Sequence, residues 1–251
     1  MLEPQLLEPG SFQHGLLQHK FASTHEWQVL DLTSLVIRGV ALDMDGLLFE
    51  TEGLYWQVGD TVLQRRGYRY SKELQNRMMG RVGIAAVQQM IDLHHLDDDA
   101  AELLAECDEI FAAMLELGVE QMPGVDAMIR RFQAKKLPFG LATSSRRRFA
   151  TVLMDTVEWK SDLKFSLTGD DVTRGKPDPQ MYQMAAERLG IPPQQMLVLE
   201  DSGNGCAAGV AAGAIVVAVP SEHTKEQCFD GAVLIANTLN DPRFIALLEN
   251  Q

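Results

Sequence analysis

The sequence predicts an α/β fold, a doubly wound parallel sheet interrupted by an all-α insertion. Short apolar runs at 35–42, 139–142, 196–199 and 215–219 alternate with segments of helical period, the pattern of strands covered by helices on both faces. Between the first and second of these runs, residues 56–120 carry helical periodicity and no strand signal. Polar residues gather where the runs end, at Asp43, Asp45, Thr143, Glu200 and Asp201, and in open α/β sheets ligands bind outside the carboxyl ends of strands.

At 251 residues, 46% hydrophobic and 23% charged, the chain has the length and composition of a globular protein with a sizeable core. The balance of 22 basic to 35 acidic residues, net −13, predicts neither a nucleic-acid partner nor binding to an anionic membrane surface. Arg146-Arg147-Arg148 is an isolated basic run. No stretch approaches transmembrane length, and Glu3, Pro4, Glu8 and Pro9 precede any apolar run, unlike a secretory signal. Cys107, Cys206 and Cys228 are odd in number and lack metal-like spacing, which suggests buried thiols in a reducing compartment. A cytoplasmic protein is expected.

Taken in order, residues 1–34 form an N-terminal extension, a loose tail or a packing arm, whose His14, His19 and His25 read as solvated histidines before metal ligands. The core is expected over 35–55 and 121–251, with a helical cap over 56–120. The run 35–42 is short, partly β-branched and broken at Gly46, hence a buried strand. Leu54, Val58, Val62 and Leu63 recur at helical spacing over 52–66, before a stop at Gly67. A second helix begins at Ser71 and ends near Gly80, and a third spans 82–96. A fourth follows the acidic start Asp97–Asp99, presents Leu103, Cys107, Phe111 and Leu115 on one face and stops at Gly118. Past Met122-Pro123-Gly124 the alternation returns: helix 125–136, strand 137–143, helix 145–154, strand 165–168, helix 179–189, strand 196–199, helix 205–212, strands 215–219 and 232–235, helix 242–248.

Asp43 and Asp45 stand two apart, so on a continuing strand both side chains share a face. Two anions that close need a cation, a proton or hydrogen bonds, and Mg²⁺ is the natural hard partner. As isolated residues, Asp-Gly is an ordinary turn, Thr143 an ordinary strand end, Lys176 a solvated loop lysine, and Glu200-Asp201-Ser202 an N-cap cluster. In this order, at the edge of one sheet, they make a metal cage, a cation and a hydroxyl suited to a phosphate group.

With these residues the chain resembles the haloacid dehalogenase (HAD) superfamily, specifically the β-phosphoglucomutase-like phosphatases with a helical cap, over roughly residues 38–250. Asp43-Met44-Asp45-Gly46 through Glu52 looks like its first motif, Thr143 like the second, Lys176-Pro177-Asp178-Pro179 like the third, and Glu200-Asp201-Ser202-Gly203-Asn204-Gly205 like the fourth. The resemblance implies a Rossmann-like core and a phosphoaspartyl mechanism. Asp43 would be the nucleophile and Asp45 the acid and base. Thr143, Ser144 and Lys176 would bind the phosphoryl group. Mg²⁺ would be held by Asp43, Asp45 through its backbone carbonyl, Glu200 and Asp201. Glu50 stands where the family often has Asp, with the same charge. Tyr55 stands where the mutases carry a His, which lowers the mutase reading, and no cap lysine matches the phosphonate hydrolases. In the cap, Gly80-Arg81 resembles a substrate-facing loop. Arg81 and Tyr55 read equally as substrate contacts or as solvent-facing and packing residues. Asp170 and Asp171 either support the metal cage or cap a turn.

The expected activity is Mg²⁺-dependent hydrolysis of a small phosphate ester, a sugar or polyol monophosphate, by a monomer. The alternatives are a sugar-phosphate mutase and a non-catalytic phosphometabolite-binding protein.

Overall fold

The computed structural model describes residues 34–78, 81 and 83–249, with strand pairing also given at 12–13, 16–20 and 27–31. His14, His25 and Gly80 lie outside the described residues, as does the side chain of His19. In the extension, β1 (Phe12–Gln13), β2 (Leu16–Lys20) and β3 (Trp27–Asp31) pair as an antiparallel meander in the order β1-β2-β3. Its strands were not foreseen in a segment without clear periodicity.

The described chain divides into two units, Met1–Phe49 with Gln121–Gln251, and Glu50–Glu120. The first is built on a six-stranded, all-parallel sheet of order β6-β5-β4-β7-β8-β9, formed by β4 (Gly39–Leu42), β5 (Phe139–Ala142), β6 (Ser166–Leu167), β7 (Met196–Glu200), β8 (Ile215–Ala218) and β9 (Leu234–Ile235). Parallel strands require crossovers, and the α/β alternation supplies them through helices α5 (Val125–Ala134), α6 (Arg147–Met154), α7 (Gln180–Leu189) and α8 (Gly203–Ala211). Helix α9 (Pro242–Glu249) follows β9.

The first strand is shorter than the apolar run that predicts it. Pairing begins at Gly39 rather than at 35, and Val36 is half exposed. Within the strands, successive residues on both faces are buried: Val40, Ala41 and Leu42 in β4, and Leu197, Val198 and Leu199 in β7, are all fully buried. One face, with Ala41, Ala142, Val198 and Val216, joins Met181, Tyr182, Ala185 and Ala186 of α7 and Cys206 and Ala208 of α8 in a single core. Small residues let those helices lie close: a Cβ on Gly209 would fall 2.8 Å from the Val216 side chain.

Helix α6 begins at Arg147, two residues later than its apolar spacing predicts, because Ser145 turns its hydroxyl to Asp45 and the Arg147 amide donates to Asp170. Helix α8 begins earlier than predicted, at Gly203, where the Ser202 hydroxyl accepts the Gly205 amide as an N-cap.

The second unit is all helical: α1 (Glu52–Gln64), α2 (Lys72–Met78), α3 (Ile84–His94) and α4 (Ala100–Glu116). The α4 residues Leu103, Cys107, Phe111 and Leu115 are its buried face. Arg66, just past α1, forks onto Asp98 and Glu106 with its closest nitrogen at 2.6 and 2.7 Å, which ties the two helices together. Among the described residues, no helix is long and apolar enough to cross a membrane.

Candidate active site

The strand order decides where a ligand belongs. β4 is followed in sequence by β5 on one side of it and flanked by β7 on the other, so the crevice beyond its carboxyl end is the switch point of the sheet. Three strands end there. β4 delivers Asp43, β5 delivers Thr143, and β7 ends in Glu200 followed by Asp201.

Asp43, Thr143, Glu200 and Asp201 are all buried. A carboxylate oxygen from each of Asp43, Glu200 and Asp201 lies within 4.8 Å of the others. Lys176, in the loop before α7, enters this cluster and directs its ammonium at three acceptors: Asp43 Oδ1 at 2.5 Å, Glu200 Oε1 at 2.5 Å and the Ala142 carbonyl at 2.9 Å. All three ammonium donors are thereby engaged. Burial alone would lower the lysine's pKa, but Asp43 and Glu200 outweigh it and hold the pKa well above its usual value.

Burial, with Glu200 and Asp45 as neighbouring anions, pushes the Asp43 carboxyl up to about 8, against the opposing pull of Lys176. One lysine does not balance three clustered carboxylates. An all-oxygen, strongly anionic set of this kind fits a small divalent cation such as Mg²⁺.

Asp45 takes different partners from Asp43, because the strand stops at Leu42 and the chain turns at Gly46, whose amide donates to the Phe49 carbonyl. Asp45 Oδ2 accepts the Ser145 hydroxyl at 2.7 Å and the Thr143 hydroxyl at 3.2 Å. Ser144 is exposed, and its neighbour Ser145 is the residue that reaches inward. Asp171 closes a turn, accepting the amide and hydroxyl of Thr168 and pairing with Arg147. Asp170 accepts the Arg147 amide.

In the helical unit Tyr55 stacks on Phe111 with ring centroids 4.7 Å apart, yet it stays 46% exposed, so packing does not consume it. Arg81 is exposed and its Nε donates to the Arg77 carbonyl.

Sequence reading missed Tyr182 and Ser145. The Tyr182 hydroxyl donates to Glu200 Oε1 at 2.6 Å from a fully buried ring, and burial, reinforced by Glu200, holds its own pKa well above the usual phenol value. A Tyr on the apolar face of a predicted core helix was the available signal, since a buried hydroxyl seeks a partner. The glycine ending the fourth motif also has a local reason: a Cβ on Gly205 would lie 1.8 Å from Glu200 Oε1.

Residues 37–213 match the family model described as haloacid dehalogenase-like hydrolase. The chain belongs to that family. Among its relatives, a bifunctional riboflavin kinase/FMN phosphatase of Arabidopsis thaliana is 31% identical over 209 residues, 81% of this chain and 54% of that protein. The chain thus spans about half the length of that relative. A phosphorylated carbohydrates phosphatase of Thermotoga maritima is 30% identical over 181 residues, covering 70% of this chain and 82% of that protein. Among solved structures, CbbY of Rhodobacter sphaeroides in complex with phosphate superposes with a TM-score of 0.74 at 23% identity, over 85% of this chain and all of that one, which supports the HAD fold. As a HAD hydrolase whose relatives matched over most of their own length include named phosphatases, the chain is a phosphoric monoester hydrolase.

Proposed function

We propose that the protein is a Mg²⁺-dependent phosphatase that hydrolyses a sugar or polyol monophosphate through an aspartyl phosphate on Asp43. The observation that carries this reading is the buried Lys176 ammonium, bonded to Asp43 beside a cluster of three carboxylates. A nucleophilic carboxylate, a cation to meet phosphoryl oxygens and a separately held second aspartate are the parts a two-step displacement needs.

Asp43 and Asp201 would hold the cation, with the Asp45 backbone carbonyl as a further ligand and Glu200 reaching it directly or through water. When bound, Mg²⁺ would supply the positive charge that offsets the approach of an anionic ester to an anionic nucleophile. In the first step the Asp43 carboxylate attacks phosphorus, the bond to the ester oxygen breaks, and Asp45 gives that oxygen its proton. In the second, Asp45 takes a proton from water as the water attacks phosphorus, which releases phosphate and restores Asp43. Ser144 would donate to the phosphoryl oxygens, as would Lys176 and Thr143 on exchanging their present bonds to Asp43 and Asp45 for a phosphoryl oxygen, and such donors matter most as charge shifts in the transition state. The hydroxyls of Thr143 and Ser145 keep Asp45 oriented between steps.

The substrate class rests on the relatives' names. One acts on phosphorylated carbohydrates and another on FMN, whose phosphate is carried on a ribityl chain. We assign the core to 35–55 and 121–251 and a substrate-selecting cap to 56–120, with Arg81 inside it and Tyr55 immediately before it, on the same helical unit, as candidate contacts.

The test is phosphate release from a panel of sugar and polyol monophosphates, with Mg²⁺ and with EDTA. Release from a few esters, lost in EDTA and reduced about 10⁴-fold or more in Asp43→Asn, is the expected result. Undiminished release by Asp43→Asn would remove it as nucleophile. Isomerisation of a hexose phosphate on adding a bisphosphate, without release, would replace the phosphatase by a mutase.

A further inference from the structure

The Glu200 carboxylate is surrounded on every side. Oε1 accepts Lys176 Nζ at 2.5 Å and the Tyr182 hydroxyl at 2.6 Å. Oε2 accepts the Ser202 hydroxyl at 2.9 Å and the Ser202 amide at 3.2 Å. A carboxylate offers about four lone-pair sites, and four protein donors occupy them. Glu200 therefore has little capacity left for a direct bond to a cation, although it lies in the acidic cluster.

Tyr182 touches both partners of this arrangement. Its hydroxyl fills one site on Glu200, and its ring centroid lies 5.0 Å from the Lys176 ammonium, within cation–π range. The ring is fully buried in the core formed by α7, α8 and the sheet. A phenylalanine would fill that volume equally, so packing does not require the hydroxyl. The hydroxyl donates to Glu200.

We propose that Tyr182 is a positioning residue for Lys176. Its hydroxyl commits Glu200 to the lysine, its ring backs the ammonium, and together they hold Lys176 Nζ at Asp43. Glu200 is then the anchor of the lysine, and the cation rests on Asp43 and Asp201. The assignment of a catalytic task to Lys176 rests on the phosphatase reading; the positioning itself does not.

The test compares the full-length protein with Tyr182→Phe, which keeps the ring and removes the hydroxyl. Three measurements separate the outcomes. In ¹⁵N NMR, an ammonium held by three acceptors exchanges slowly with water, so the wild type should show a protected lysine ammonium signal that disappears in Lys176→Met. Tyr182→Phe is expected to broaden or lose it. Calorimetric titration with Mg²⁺ is expected to give a Kd within about threefold of wild type, against a loss of binding in Asp201→Asn. With p-nitrophenyl phosphate at saturating Mg²⁺, kcat is expected to fall about 10–100-fold with KM nearly unchanged, the signature of a group misplaced in the transition state.

An unaltered ammonium signal in Tyr182→Phe overturns the proposal. So does a Mg²⁺ Kd weakened tenfold or more with kcat recovered at high Mg²⁺, because the hydroxyl would then serve the cation through Glu200. If the wild type releases no phosphate from any ester, the phosphatase reading fails, and the ammonium signal still decides the role of Tyr182.

Discussion

Asp43 shows how a single residue can carry both a cost and a function. Its burial beside Glu200 raises its pKa to about 8, offset in part by Lys176. A carboxyl whose folded pKa lies above its unfolded value binds more protons when folded, so without metal it favours the fold at low pH and less so as pH rises from about 4 through 8. A divalent cation needs the carboxylate and must displace that proton below pH 8. The rise in Tm on adding Mg²⁺ should therefore grow from pH 6 to pH 8 and level off above it, read by thermal unfolding across the series. A pH-independent rise would place the cation away from Asp43. At this scale much was legible. Asp43, Asp45, Thr143, Glu200 and Asp201 are visible as polar residues at the ends of apolar runs, and Lys176 as the lysine of a loop just before a helix. Tyr182 was not, because its ring belongs to the helix period and only its hydroxyl belongs to the site.

At the scale of elements, α8 is the clearest case of a local rule reversed by its surroundings. Alanine in place of a helical glycine normally stabilises by about 0.5–1 kcal/mol. At Gly205 the added Cβ would sit 1.8 Å from Glu200 Oε1, inside a carboxylate already held by four donors. Gly205→Ala is expected to lower stability by about 1–3 kcal/mol in urea unfolding, as overpacking does, and to lower turnover with it. A stabilised variant with full turnover would mean that Glu200 moves without consequence. Strand ends behave similarly. Periodicity predicted β4 to begin at 35, but partners exist only from Gly39, because pairing is settled by the neighbouring strands β5 and β7. Helix starts moved for a related reason: Ser145 is spent on Asp45, a bond not visible from spacing, and Ser202 caps the Gly205 amide, as the N-cap reading of Glu200-Asp201-Ser202 has it.

At the scale of the molecule, the chain leaves its sheet-bearing unit after Phe49 and returns at Gln121, and these two residues form an antiparallel bridge. The Met122 amide also donates to the Leu48 carbonyl at 2.9 Å. Departure and return are thus side by side, as in an insertion that can be removed without tearing the sheet. Replacing residues 50–120 by a short glycine-serine linker is expected to leave a cooperatively unfolding core that still binds Mg²⁺ in calorimetry. Hydrolysis of p-nitrophenyl phosphate should persist while preference among sugar and polyol esters is lost. A shortened protein that keeps its preference would move specificity out of the helical unit and into the core.

By itself the sequence determined the α/β class, the all-helical insertion and the ordered set of acids, hydroxyl and lysine, because strand and helix periods and strand-end residues are local patterns. The tertiary structure decided which oxygen meets which donor: Lys176 on Asp43 and Glu200, Ser145 rather than Ser144 on Asp45, and Tyr182 behind the lysine. Those choices depend on strand order and on distances between residues as far apart in sequence as Asp45 and Ser145. Local periodicity carries no information about contacts at that separation.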